Sequence, residues 1–273
     1  MKITYSSFKY KFNKIKGLLI YLIFKYTKFG KNFQILEGLK NSEKGKTCFV
    51  VANGPSLKIK DLDKLHKTNT ISIASNKIYL CFDDTRWRPT YYTVADYLNA
   101  ENDNSDIDKL NSIKFIPYSL KSFFGDHNNT VYFNERSAKR DNYKDYIPDF
   151  SFEATEGFHI GETVTHLNIQ IALYLGCNPI YIIGMDGEYK VPSSVVHGHD
   201  VMGDTLKSDN GNHFCANYYS DNEKWAIPRV DLIHITHDLD NKAVKSKNVN
   251  IYNASRKSAI ESFERVNMSE VKL

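Results

Sequence analysis

The chain has 273 residues, 41% of them apolar, with a net charge of +4; that is enough hydrophobic mass for a packed core and too much for a disordered polymer. Four scattered cysteines, Cys48, Cys81, Cys177 and Cys215, form no Cys-x-x-Cys pair, which argues against a disulfide framework and a structural zinc site and fits a reducing cytoplasm. The positive charge is local: residues 1–31 hold eight lysines and no acid, which leaves the other 242 residues at about −4, and no nucleic acid is expected as a partner.

In chain order, the basic segment surrounds an eight-residue apolar core, Gly17–Phe24, far short of the roughly 20 residues that span a bilayer. Lysines continue beyond it and no small-residue cleavage site follows, unlike a secretory signal. Two readings stand: an amphipathic anchor on an anionic membrane face, or a helix packing on the domain or on a second copy of the chain. Residues 1–46 are set apart as this segment, and 47–273 as one domain.

From residue 47 the pattern changes. "TCFVVA" reads as a continuous apolar strand, "SLKIKDLDKLHK" as a helix with Leu57, Leu62 and Leu65 on one face, and "TNTISIAS" as a second strand. Further strands are expected over 90–96, 112–118 and 129–134, then an irregular connection over 135–158. "ETVTHLNIQIALYLGCNP" spaces Val164, Leu167, Ile171 and Leu175 as a helix stopped at Gly176, and "IYIIGMD" follows as a strand. The His/Gly/Asp/Tyr-rich stretch 187–226 has no period and reads as a lid or substrate loop. A helix over about 227–243, a strand over 248–253 and a helix over 255–266 complete the order, which predicts an α/β sheet.

In open α/β sheets ligands bind at the carboxyl ends of strands, where helix N-termini present free N–H groups. The polar residues expected there are Asn53-Gly54-Pro55-Ser56, Asn76, Asp96, Asp186, and Asn253 with Ser255. Each has a local alternative, since Ser56, Asn76 and Asp96 suit helix caps and Asn-Gly-Pro-Ser suits a turn; together they suit a nucleotide. The loop is neither a Walker A nor a Gly-x-Gly-x-x-Gly fingerprint. His197, His199 and His213 crowd the lid stretch with Asp200, Asp204 and Asp209, as a general base or a metal site; His213 is favoured as base, with Tyr218 and Tyr219 beside it as neutral phosphate donors.

The stretches "VVANGPSL", "SIASNKIY", "YYTVADYL", "TVTHLNIQIALYLGCNPIYIIGMD", "NHFCANYY" and "VNIYNASRKSAIESF" resemble the bacterial sialyltransferases of glycosyltransferase family 42 and the related motility accessory factor and MptE-like proteins, over about residues 47–266. The resemblance implies a Rossmann-like, GT-A-type α/β domain, mostly parallel and flanked by helices, with a small lid. It implies inverting, metal-free transfer of a nonulosonic, sialic-type acid from a CMP-activated sugar, with no other cofactor, to a hydroxyl of a surface glycan. Carried over, Asn53, Gly54, Pro55 and Ser56 hold phosphate and ribose, Asn76 and Asp96 hold donor groups, Thr163 and Thr165 match a Thr-Ser-Gly turn, and Asn253 and Ser255 match a pair near the cytosine. Asp186, Tyr189, Tyr218 and Tyr219 complete the donor site, and His213 is the base with His199 in reserve.

Two departures stand out: Glu188 occupies the place of an expected tyrosine, with Tyr189 one further on, and Asp96 that of an asparagine. With the cysteine usage and the basic aromatic N-terminus, the glycosyltransferase reading expects a cytoplasmic enzyme peripheral to the inner membrane, beside a carbohydrate acceptor of polysaccharide or lipopolysaccharide synthesis that can be lipid-linked. Two alternatives are an ATP/magnesium pterin pyrophosphokinase and a non-catalytic nucleotide-binding component of an assembly complex; a homo-oligomer is compatible with all three.

Overall fold

A computed structural model describes residues 30–125, 127–136, 148–190, 211–220, 223 and 228–273, with Ile15, Leu18, Leu19 and Leu22 before them. Eight strands form the main sheet: Cys48–Val51 (β1), Ile71–Ser75 (β2), Tyr91–Thr93 (β3), Ile113–Pro117 (β4), Thr130–Phe133 (β5), Ile180–Ile183 (β8), Ile251–Asn253 (β9) and Glu264–Arg265 (β10). Glu135–Arg136 (β6) and Phe158–His159 (β7) pair separately. The order is β10-β9-β8-β1-β2-β3-β4-β5, and each pairing is parallel.

Parallel strands must be covered on both faces, and the side-chain alternation of β1 shows how. Cys48 and Val50 join one apolar layer, with Leu36, Ile73, Leu167, Ile171 and Val244. Phe49 and Val51 join the other, with Leu62, Leu65, Ala100 and Ile107. The first layer is roofed by helices Lys31–Leu39 (α1), Val164–Tyr174 (α4) and Val230–Ser246 (α5), the second by Ile59–Lys67 (α2) and Tyr97–Asp108 (α3). In α2, Asp61 in the first turn and Lys64, His66 and Lys67 in the last complement the helix dipole.

Residues from Lys31 onward are part of this domain. Leu36 is buried, Asn32 Oδ1 accepts from Tyr132 N–H at 2.7 Å while its amide donates to Tyr132 O, and Asn41 N–H reaches Tyr174 O. Asn32 thereby occupies the outer edge of β5, a position that otherwise invites another strand. Upstream, Ile15, Leu18, Leu19 and Leu22 are helical and between 37% and 62% exposed; their i, i+3, i+4, i+7 spacing puts them on one stripe.

One expected element is corrected. Residues 255–266 form no helix: Asn253 Oδ1 accepts from Ser255 N–H, Asn253 Nδ2 donates to Ser258 Oγ, Ser258 Oγ accepts from Ile260 N–H, and Ala259 N–H reaches Asp186 O. Such short side-chain bonds satisfy the backbone outside a helix, and the stretch ends in β10. Helix α3 arises where no element was expected. Of the anticipated lid, 187–226, the described residues are 187–190, 211–220 and 223.

Candidate active site at the switch point of the sheet

From β1 the chain steps outward to β5, then returns to lay β8 on the other side of β1. This reversal separates the loops that follow β1 and β8 and opens a crevice at their carboxyl ends. Two glycines keep the crevice walls close. Gly54 N–H donates to Gly184 O at 2.8 Å, and a Cβ on Gly54 would stand 2.1 Å from Asp186 Oδ2 and 2.5 Å from Gly184 O. Gly184 sits at φ +71°, and a Cβ there would stand 2.4 Å from Ala52 O.

The β1 loop is braced from β8. Ser56 donates to Asp186 Oδ2 through its N–H at 3.1 Å and its hydroxyl at 2.8 Å. Burial pushes the Asp186 carboxyl up, and these donors offset that only in part. Asn53 Nδ2 donates to Ser75 O at 3.0 Å, tying β1 to β2. Asn53 Oδ1 and the Oδ1 of Asn76, a residue at φ +52°, are buried with no partner among the described residues, so two acceptors are open to a ligand or water.

The N-terminus of α4 closes one side, with Thr163 Oγ1 accepting from Thr165 N–H at 3.3 Å. An aromatic wall closes another. The His213 ring lies flat on Tyr218, centroids 3.8 Å apart and 5° between planes, with Tyr219 edge-on at 5.4 Å and Tyr189 at 6.4 Å. Phe214 N–H donates to Asn53 O at 3.0 Å, which locks this wall to the end of β1. The crevice these residues line has a volume of about 80 Å³.

Asn53, Gly54, Asn76, Thr163, Thr165, Asp186, Tyr189, His213 and Tyr218 are therefore brought to one cleft. The other named residues stand behind it. Ser56 braces Asp186, and Pro55 is exposed. Asp96 caps α3, its Oδ1 accepting from Asn99 N–H at 2.8 Å. Asn253 is fully buried and holds Ser255 N–H, while Ser255 Oγ accepts from Met185 N–H at 2.9 Å and fixes the turn after β8. Tyr219 lies beneath Lys77 Nζ, 5.4 Å from the ring centre. His199 and His197 lie outside the described residues.

The sequence reading missed His237, which enters the cleft from α5, and its buried partner Asp240. The i, i+3 pair on one helix was a visible signal; the third member, His166 of α4, lies 74 positions from Asp240 and carried none.

A parallel α/β sheet with a polar crevice at its reversal, a glycine-bearing β1 loop and a helix N-terminus facing inward defines the open-sheet class that binds small ligands at strand ends. The chain belongs to the MptE-like family, as residues 23–191 match the model described as 6-hydroxymethylpterin diphosphokinase MptE-like. Among solved structures, the MAf glycosyltransferase from Magnetospirillum magneticum AMB-1 is similar at a TM-score of 0.49 and 17% identity, over 89% of this chain. The chain spans 39% of that protein's length. No curated protein matches the sequence.

Proposed function

We propose that the protein is a glycosyltransferase moving a nonulosonic, sialic-type acid from a CMP-activated donor to a hydroxyl of a surface-glycan acceptor, with inversion and without a metal. The observation that carries this reading is the charge of the cleft. Among the described residues its lining holds neutral donors and acceptors, histidines, and the carboxylates Asp186 and Glu188, but no lysine or arginine. A triphosphate needs several cations there; in a nucleoside monophosphate leaving group the ribose hydroxyls and base amine can donate to Asn53 Oδ1 and Asn76 Oδ1, and the phosphate is served by the N–H groups at the start of α4 and the phenols of Tyr189 and Tyr218. The acceptor hydroxyl attacks the anomeric carbon, CMP departs, and the hydroxyl proton passes to an imidazole. His213 faces the cleft from the aromatic wall and His237 from α5.

The family's descriptive name favours a second reading, an ATP-dependent diphosphokinase. Magnesium would fall to Asp186 and Glu188, yet Asp186 Oδ2 already takes both Ser56 donors and Glu188 pairs with Lys257 at 2.8 Å. This weighs for the CMP reading. Thermal shift separates them: CMP at 100 times its Kd stabilises by about 2.7 kcal/mol, roughly 5–10 °C for a chain of this size, with or without magnesium. A response to ATP confined to magnesium-containing buffer sinks the CMP reading in favour of the kinase.

The basic N-terminus would hold the enzyme beside a lipid-linked acceptor at the cytoplasmic membrane face. Among the described residues no helix is long and apolar enough to cross a membrane, whereas the stripe Ile15, Leu18, Leu19, Leu22 is exposed and the eight surrounding lysines contribute on the order of 1 kcal/mol each on an anionic surface. Removing residues 1–29, which spares α1, is expected to abolish co-sedimentation with phosphatidylglycerol vesicles and leave CMP binding unchanged. Undiminished co-sedimentation would show a packing helix instead.

A further inference from the structure

Helix α5 carries a carboxylate, Asp240, with no exposed surface. Its two oxygens are divided between two imidazoles: Oδ1 meets His166 Nδ1 at 2.5 Å and Oδ2 meets His237 Nδ1 at 2.8 Å. Both histidines are themselves fully buried. Burial pushes the Asp240 carboxyl up, but the charge and hydrogen bond of His166, then those of His237, outweigh it and hold the group below the usual carboxylate range. An ionised carboxylate can only accept, so each Nδ1 carries hydrogen, and in the neutral form of each ring Nε2 holds the lone pair. Among the described residues neither Nε2 has a partner.

The two rings differ in where they stand. His166 is edge-on to Phe150, centroids 5.8 Å apart, and close against Gly161. His237 lines the cleft with Thr163, Thr165 and Asp186, and Phe263 backs its ring at 5.7 Å. A histidine kept only for packing has no need of an unpartnered ring nitrogen beside a polar cleft, because such an atom costs stability. A neutral imidazole fixed through Nδ1 by a buried carboxylate, with Nε2 free, is the arrangement of a general base: the carboxylate sets the tautomer and stabilises the imidazolium that forms.

We propose that His237 is the catalytic base of this cleft and that Asp240 and His166 position it. Its Nε2 takes the proton of the acceptor hydroxyl as the hydroxyl oxygen bonds to the electrophilic centre of the donor. The bond from that centre to the nucleotide phosphate breaks, and its electron pair leaves with the phosphate. The inference rests on hydroxyl-directed transfer from a nucleotide donor, but not on whether the centre attacked is carbon or phosphorus. Asp240 faces the His237 ring from behind, with His166 on its other oxygen, and Asp186, Glu188, Tyr189 and His213 share the cleft with His237. The flat stack of His213 on Tyr218 makes that residue part of the wall.

Two substitutions test this. His237→Asn keeps an amide donor near the position of Nδ1, and so the bond to Asp240, while deleting Nε2; His237→Gln provides an uncharged group near Nε2. With CMP-sialic acid, or ATP and hydroxymethylpterin, as co-substrates, both are expected to lose kcat by about 10²–10⁴-fold and to keep nucleotide affinity within about threefold. His213→Gln should lose less than tenfold, and Asp240→Asn should displace the acidic limb of the kcat/KM profile. A His237 variant within tenfold of wild type, or a larger loss in His213→Gln, overturns the assignment. Should neither CMP nor ATP stabilise the wild type, the transfer reading fails by itself. ¹⁵N-imidazole spectra of the wild type then decide the base geometry: hydrogen on Nδ1 of His237 is expected, and hydrogen on Nε2 at neutral pH overturns it. The same spectra decide if the variants do not fold.

Discussion

Replacing Gly54 by alanine is expected to lower stability by about 3 kcal/mol, roughly 6–12 °C in Tm, and to remove the response to CMP. The reason is steric and local. The added methyl would stand 2.1 Å from Asp186 Oδ2 and 2.5 Å from Gly184 O, and the second of these is backbone held by its own bond to Gly54 N–H. Relief requires the loops after β1 and β8 to part, which breaks the two Ser56 bonds to Asp186 and moves Asn53 away from Ser75. Gly38→Ala is the control: it lies exposed in α1 with nothing within 4 Å of an added Cβ, so helix propensity predicts no loss and a gain of up to about 1 kcal/mol. A Gly54→Ala protein that melts within 2 °C of wild type and still responds to CMP would show that the crevice walls are not held together as described.

The part of this arrangement legible in the sequence is the part written locally. "TCFVVA" and "IYIIGMD" are continuous apolar runs because β1 and β8 are central and buried on both faces, and the rule that ligands meet strand ends led to Asn53, Asn76 and Asp186. The same rule also selected Asp96 and Asn253, because a polar residue at a strand end looks alike whether it faces a ligand or, as with Asp96 and Asn99, caps the next helix. Helix α3 escaped because "YLNAENDNSDID" has only a thin apolar stripe, with Asp96 as its cap. The reading of 255–266 as a helix followed its residue types, which the serine bonds of that stretch override. The match to the MptE-like family ends at residue 191, before α5, and the His166–Asp240–His237 group exists only because α4 and α5 pack together. No spacing along the chain announces a contact of that kind.

The same group sets the second large effect. Asp240→Ala leaves two buried Nδ1–H donors without acceptors and a cavity between α4 and α5, for which the loss of a buried paired charge suggests about 3–5 kcal/mol. Asp240→Asn should cost less, since one amide oxygen can still accept from one ring. The pH dependence follows from the direction in which the imidazoles move this carboxyl. His166 and His237 hold it below its unfolded value in spite of burial, so the unfolded chain binds the proton first as pH falls. The stabilisation is therefore complete above roughly pH 4, the ordinary value of an aspartate, and is lost progressively below it. Urea unfolding at pH 7 and pH 3.5 is expected to show the gap between wild type and Asp240→Asn narrowing at the lower pH. A gap that widens at the lower pH would mean that Asp240 keeps its proton in the folded protein already at pH 7 while the unfolded chain has lost it, and the two histidines would then be held by a neutral acid, which can donate to one ring and accept from the other but cannot fix both as Nδ1 donors.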